Sequence, residues 1–155
     1  MYKFTIARSE QDFLQAKDLF LAYADWLGIE LNYQNFEREL EELPLQYGPP
    51  EGCLILLYSE KEAIGCVGVR RNEAQIAELK RMYILETYQG KGLGRQLLER
   101  AIEEARQLGY TSIRLDTFPT MKGANYLYES FGFIDIPAYR YNPFPETRFM
   151  ELDIS

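Results

Sequence analysis

The chain has 155 residues, is 46% hydrophobic and carries a formal net charge of −7. That length predicts one domain over residues 1–155 with a single sizeable core. The acidic balance argues against a nucleic-acid partner, which needs a basic footprint, and mildly favours a cationic one such as an amine.

Tyr2, Phe4 and Ile6 alternate and predict an opening strand. Ser9, with Asp12 three residues on, reads as a helix N-cap and its partner. Phe13, Ala16, Phe20, Tyr23, Ala24 and Leu27 mark the inner face of the helix, and Gly28 ends it. Asn32 is placed to cap a second, shorter helix carrying Phe36, Leu40 and Leu43, with Pro44 as its stop. Residues 44–52 hold three prolines and two glycines and read as a loop. Residues 54–58 are a continuous apolar run, as in a strand covered on both faces. Residues 63–70 form another strand, in which Gly65 and Gly68 permit close backbone approach. With the strand after the turn at 72–74 they make an antiparallel meander.

That third strand breaks its own period. Ala77 and Leu79 share a face, and so do Met82 and Ile84, but the step from 79 to 82 is odd. One extra residue restores the phase, so a β-bulge is predicted near Lys80 and Arg81. A bulge frees backbone N–H and C=O groups, which an extended amide-bearing ligand can pair with. Gly90, Gly92 and Gly94 follow, in a loop that opens onto a helix with the stripe Leu93, Leu97, Leu98, Ala101, Ile102, Ala105 and Leu108. A glycine-rich strand-to-helix turn suits a pyrophosphate: the backbone curls close and the helix start points N–H groups at the anion.

Gly109 ends that helix, and Ile113, Leu115 and Thr117 alternate in a strand parallel to the third. A last helix carries Ala124, Leu127, Tyr128 and Phe131, and Gly132 ends it. Residues 133–136 are a short strand, residues 137–147 a long aromatic loop, and Met150, Leu152 and Ile154 a closing strand. No histidine occurs, which removes His-based catalytic groups and most zinc sites, so no metal is expected. Cys53 and Cys66 read as buried small hydrophobes. No apolar run is long enough for a signal peptide or a membrane span, so a cytoplasmic chain without a membrane partner is expected.

Three segments carry a family resemblance. They are residues 77–83 running into Gln89-Gly90-Lys91-Gly92-Leu93-Gly94-Arg95, then Leu115-Asp116-Thr117, then Ala124-x-x-Leu127-Tyr128-x-x-x-Gly132-Phe133. Together they resemble the GNAT N-acetyltransferases over essentially the whole chain. The resemblance implies the GNAT acyl-CoA N-acyltransferase fold, an α/β (α+β) architecture. Its sheet is mixed and mostly antiparallel, of about seven strands with four helices, in the order β-α-α-β-β-β-α-β-α-β-β. It implies acetyl-CoA as co-substrate, with Gln89, Gly90, Lys91, Gly92, Leu93, Gly94 and Arg95 at the pyrophosphate. Met82, Tyr83 and Ile84 would hold the pantetheine and the acetyl oxygen, chiefly through the backbone. Gln89 stands where Arg is also common, and Met121 where many relatives have Asn, so Asn125 one turn later is the expected substitute contact.

The resemblance also implies roles. Tyr128 would meet the sulfur as proton donor; a core tyrosine is the alternative. Glu78 would be the base; a surface ion pair is the alternative. The acceptor pocket would draw on Tyr23, Trp26, Tyr33, Tyr139, Arg140 and Tyr141, each of which packing or a dimer contact could equally explain. The implied activity is acetyl transfer from acetyl-CoA to a primary amine of a small molecule or amino compound, by direct attack in a ternary complex. A protein lysine or N-terminus is the second choice of acceptor, and a non-catalytic acyl-CoA sensor the competing class. A dinucleotide-dependent oxidoreductase is disfavoured by the meander before the loop. Monomer and homodimer both stay open.

Overall fold

The computed structural model describes residues 1–28, Leu31 and residues 35–155. Strand β1 (Tyr2–Ile6) precedes helices α1 (Glu10–Leu27), α2 (Phe36–Glu41) and α3 (Leu43–Gln46). Strands β2 (Cys53–Ser59), β3 (Glu62–Glu73) and β4 (Ile76–Ile84) follow. Then come α4 (Leu93–Gln107), β5 (Ser112–Thr117), α5 (Lys122–Phe131), β6 (Ile134–Ile136) and β7 (Arg148–Asp153). The strands form one seven-stranded sheet in the order β1-β2-β3-β4-β5-β7-β6, antiparallel except between β4 and β5.

Local chemistry sets the helix ends. Ser9 Oγ accepts from the Asp12 N–H at 3.1 Å, and the Asp12 carboxylate accepts from the Ser9 N–H at 3.3 Å, so α1 starts on a full capping box. Gly28 ends it at φ +68, a left-handed conformation that a Cβ would strain. Residues 36–46 form two helices where one is expected, giving five helices rather than four. Pro44 does not stop a helix. It sits in the first turn of α3, where a missing N–H costs no intrahelical bond. Asn32, the expected cap, lies outside the described residues.

Apolar side chains fill both faces of the sheet. On one face Ile55, Leu57, Val67, Ala77, Leu79 and Ile113 pack under α4 and α5. On the other Leu54, Leu56 and Cys66 pack under α1, α2 and α3, with Tyr47 against β3 at Gly68. Gly68 makes that possible: a Cβ there would come within 2.4 Å of the Tyr47 ring. Cys53 and Cys66 are buried free thiols, as their apolar surroundings predict.

The break in period at 79–82 is a bulge. Gly68 faces Lys80 but Cys66 faces Tyr83, so β4 spends one more residue than β3. Arg81 takes the strained position at φ +58. Beyond this point the sheet opens. Residues 76–78 of β4 pair with residues 112–114 of β5, and no ladder continues above them. A cavity of about 20 Å³ lies in the wedge, bordered by Lys80, Met82, Leu115, Asp116, Met121 and Tyr128.

Candidate active site

The loop after β4 is built to leave donors exposed. Gly90 and Gly92 have φ of +80 and +79, left-handed values that turn the chain sharply into α4. Gly92 is the N-cap of α4, no side chain caps it, and no acidic residue sits in the first turn. The helix start therefore presents its backbone N–H groups and positive dipole end without an internal counter-charge. Lys91, exposed beside them, adds positive charge. An anion of the size of a pyrophosphate fits such a cradle.

The loop borders a cleft of about 440 Å³. One wall is the end of β4, with Met82, Tyr83 and Ile84, together with Gln89, Gly90 and Gly94. The facing wall is the start of α5, residues 120–124, with Leu127. Met82 and Met121 border both this cleft and the wedge, so the two lie side by side across these side chains. A long, partly apolar molecule with an anionic end can lie in the cleft with its other end at Met82 and Met121, beside the wedge. The chain thus fits the coenzyme A form of a thioester donor.

Tyr128 closes the wedge from the α5 side. It is 4% exposed, and its ring packs on Phe133 with centroids 5.6 Å apart. Burial raises its pKa well above the ordinary tyrosine value, helped by the charge of Asp116, so the hydroxyl keeps its proton. From the opposite face of the sheet come Tyr23 of α1, Lys80 and Asp116. Burial, foremost, and the charge of Arg81 push the Lys80 ammonium down to about 7.

The bulge beneath the wedge is braced from α2. Glu39 accepts from Arg81 Nη2 at 2.8 Å and Nε at 3.1 Å, and from the Tyr47 hydroxyl at 2.8 Å. Burial alone would raise Glu39, but its bonds to Arg81 and that charge outweigh burial and hold it below the ordinary carboxylate value. The Arg81 guanidinium also lies over the Phe36 ring, 5.2 Å from its centroid. Cys66 donates its thiol to the Arg81 carbonyl at 3.3 Å.

Several expected residues meet at the cleft and wedge: Met82, Tyr83, Ile84, Gln89, Gly90, Gly94 and Tyr128, with Tyr23 and Trp26 from α1. Trp26 packs on Tyr83, centroids 5.5 Å apart. Other placements differ. Glu78 is 2% exposed and borders neither cavity. Its carboxylate accepts from the Tyr139 hydroxyl at 2.7 Å and pairs with Arg70 and Arg140. It is a buried anchor for the 137–147 loop rather than half of a surface pair, and the expected base lies outside both the cleft and the wedge. Tyr139 and Arg140 are spent on that anchor. Tyr141 is 75% exposed and lies along a separate groove near β6. Asn125 accepts from Thr117 Oγ1 at 2.7 Å and donates to the Phe118 carbonyl at 2.9 Å. It ties α5 to β5 and borders neither cavity, because its hydrogen bonds are satisfied inside the protein. Gln89 donates to the Ile84 carbonyl at 2.7 Å, closing the loop onto the strand end. Arg95 donates to Ser130 and stacks on Phe131, turned toward α5. Leu93 is buried, so only its backbone is offered. Tyr33 lies outside the described residues.

Sequence reasoning gives no site role to Lys80 or Asp116, which border the wedge, or to Thr120, Lys122 and Gly123 at the α5 start, which border the cleft. A signal existed for the α5 start: Gly123 in the first turn of a helix that follows a parallel strand is a second place for close approach.

The acetyltransferase (GNAT) family model matches residues 17–133. An uncharacterised N-acetyltransferase of Schizosaccharomyces pombe is 36% identical over 147 residues, covering 94% of this chain and 90% of that protein. The N-acetylaspartate synthetase of Xenopus tropicalis is 36% identical over 85 residues, 54% of this chain and 31% of that one. A crystal structure described as a putative acyl-CoA N-acyltransferase from Klebsiella pneumoniae superposes with a TM-score of 0.78 at 28% identity, covering 100% of this chain and 99% of that one. Matched over most of its length by the family model and by a relative that shares its extent, this chain belongs to the GNAT family and is an acetyl-CoA-dependent N-acetyltransferase.

Proposed function

We propose that the protein transfers the acetyl group of acetyl-CoA directly to a primary amine of a small amino compound, with both substrates bound at once. The observation that carries this reading is that the cleft and the wedge between β4 and β5 adjoin at Met82 and Met121, with Tyr23 bordering the wedge from α1. In this reading the pyrophosphate rests on the N–H groups of residues 92–95, with Lys91 beside it. The pantetheine lies along Met82, Tyr83 and Ile84, and the thioester enters the wedge beside Tyr128. A backbone N–H freed by the bulge would meet the acetyl oxygen as negative charge builds there. Tyr128, kept protonated by burial, donates at sulfur as the thiolate leaves.

Tyr23, Trp26 and Tyr83, all within 6.5 Å of one another by ring centroid, offer an aromatic wall to the acceptor. The narrowness of the wedge, about 20 Å³, supports a small amine over a protein side chain. The name of the Xenopus relative, whose product is an acetylated amino acid, agrees with that choice.

The test is free-thiol release from acetyl-CoA with a panel of L-amino acids, polyamines and a lysine peptide. Turnover with a small amine, and none with the peptide, is the expected result. Tight acetyl-CoA binding without thiol release for any amine would favour a sensor instead.

A further inference from the structure

Lys80 is the group at this site without a role so far. It is 2% exposed and borders the wedge with Tyr23, Asp116 and Tyr128. Four of the elements around it contribute a charge, while α1 and α5 bring Tyr23 and Tyr128. Arg81 adjoins it on β4, Arg70 lies on β3, Asp116 on β5 and Glu39 on α2, with the Glu78–Tyr139–Arg140 cluster two residues back along the strand. Burial and the two arginines disfavour its ammonium form, Asp116 and Glu39 oppose them only in part, and Lys80 is left titrating at about 7. Asp116 adds a second observation. Its Oδ2 is buried without a hydrogen-bond partner among the described residues. A buried carboxylate oxygen in that state calls for a donor from outside the chain.

We propose that Lys80 is the proton acceptor of the reaction, taking a proton from the acceptor's ammonium group while Asp116 holds that group in the wedge. The proposal rests on the amine-acetylation reading above. The neutral Nζ of Lys80 takes one proton from the ammonium, leaving an amine and a charged Lys80. The amine lone pair forms the N–C bond at the acetyl carbonyl carbon, and the C–S bond breaks with its electron pair going to sulfur. The second nitrogen proton, lost as the amide forms, reaches sulfur by way of the Tyr128 hydroxyl. Lys80 then gives its proton to water, so the products are the amide, the free thiol and one proton. A base matched to neutral pH is what such a step needs, and Glu78, committed to three donors, is not presented to it.

Two variants and a direct titration test this, with the L-amino acids and spermidine as acceptor probes. Lys80→Arg and Lys80→Met should each lose roughly 10²–10⁴-fold in kcat while acetyl-CoA affinity stays nearly unchanged. Arginine keeps the charge but cannot serve as the base, so it should not rescue. The wild-type kcat/KM should rise with pH through one group near 7, and that limb should vanish in both variants. In ¹³C NMR of lysine-labelled protein, the Lys80 Cε signal, assigned by its loss in Lys80→Arg, should titrate between about pH 6 and 8. A midpoint above about 9, or wild-type rates in Lys80→Met, overturns the proposal. Should the wild type turn over no amine, the acetylation reading fails separately, and the NMR midpoint still decides for or against a neutral Lys80.

Discussion

A buried lysine and a buried tyrosine border one gap between two parallel strands, and their environments push both toward the uncharged form. This has a measurable consequence for stability. The folded value of Lys80, about 7, lies below its ordinary value of 10.5. Between those limits the unfolded chain binds more protons than the folded one, so stability from this site rises with pH. Methionine does not titrate. Lys80→Met should therefore be more stable than wild type at pH 6, and its advantage should shrink by roughly 1.4 kcal/mol per pH unit above 7. Urea midpoints at pH 6 and 9 check this; a constant difference would contradict a depressed Lys80. Tyr128→Phe removes only the hydroxyl. It should lower turnover by about 10²-fold with acetyl-CoA affinity nearly intact, measured by thiol release and calorimetry. An unchanged rate would remove Tyr128 from the donor role.

At the scale of elements, the bulge in β4 matters most, and α2 holds it. Arg81 sits in a left-handed conformation, and its charge is buried. Glu39 neutralises it through two hydrogen bonds. Glu39→Gln leaves that charge without a counter-ion and should cost about 3–5 kcal/mol, read from urea unfolding. Because the folded Glu39 value lies below the ordinary 4.5, its contribution is complete above that pH and fades as pH falls below it. The bulge was legible in the sequence because it breaks a period of two, a purely local signal. The glycine loop and the α4 stripe were legible for the same reason. Glu78 was not. Its partners Tyr139 and Arg140 lie about sixty residues away, and no local pattern announces a long-range ion pair. Asn125 likewise reads as a ligand contact, because the pattern cannot show that Thr117 and the Phe118 carbonyl already satisfy it. The split between α2 and α3 was hidden because Pro44 breaks a helix interior but suits a first turn.

For the molecule as a whole, the fold is a sheet pried open at its centre. Helices α4 and α5 build the donor's cleft on one face, α1 and α2 stand over the other, and the parted ends of β4 and β5 join the two sides. The direct measurement is equilibrium binding of acetyl-CoA to wild type and to Gly92→Val, alongside circular dichroism and thermal unfolding of both. At φ +79 a valine strains the helix start by roughly 1–2 kcal/mol, a local cost that leaves the sheet and its cores in place. The account predicts that the wild type binds acetyl-CoA, and that the folded variant loses at least about 10²-fold in affinity, because the N–H cradle no longer closes on the pyrophosphate. A folded Gly92→Val protein that binds acetyl-CoA as tightly as wild type would contradict it.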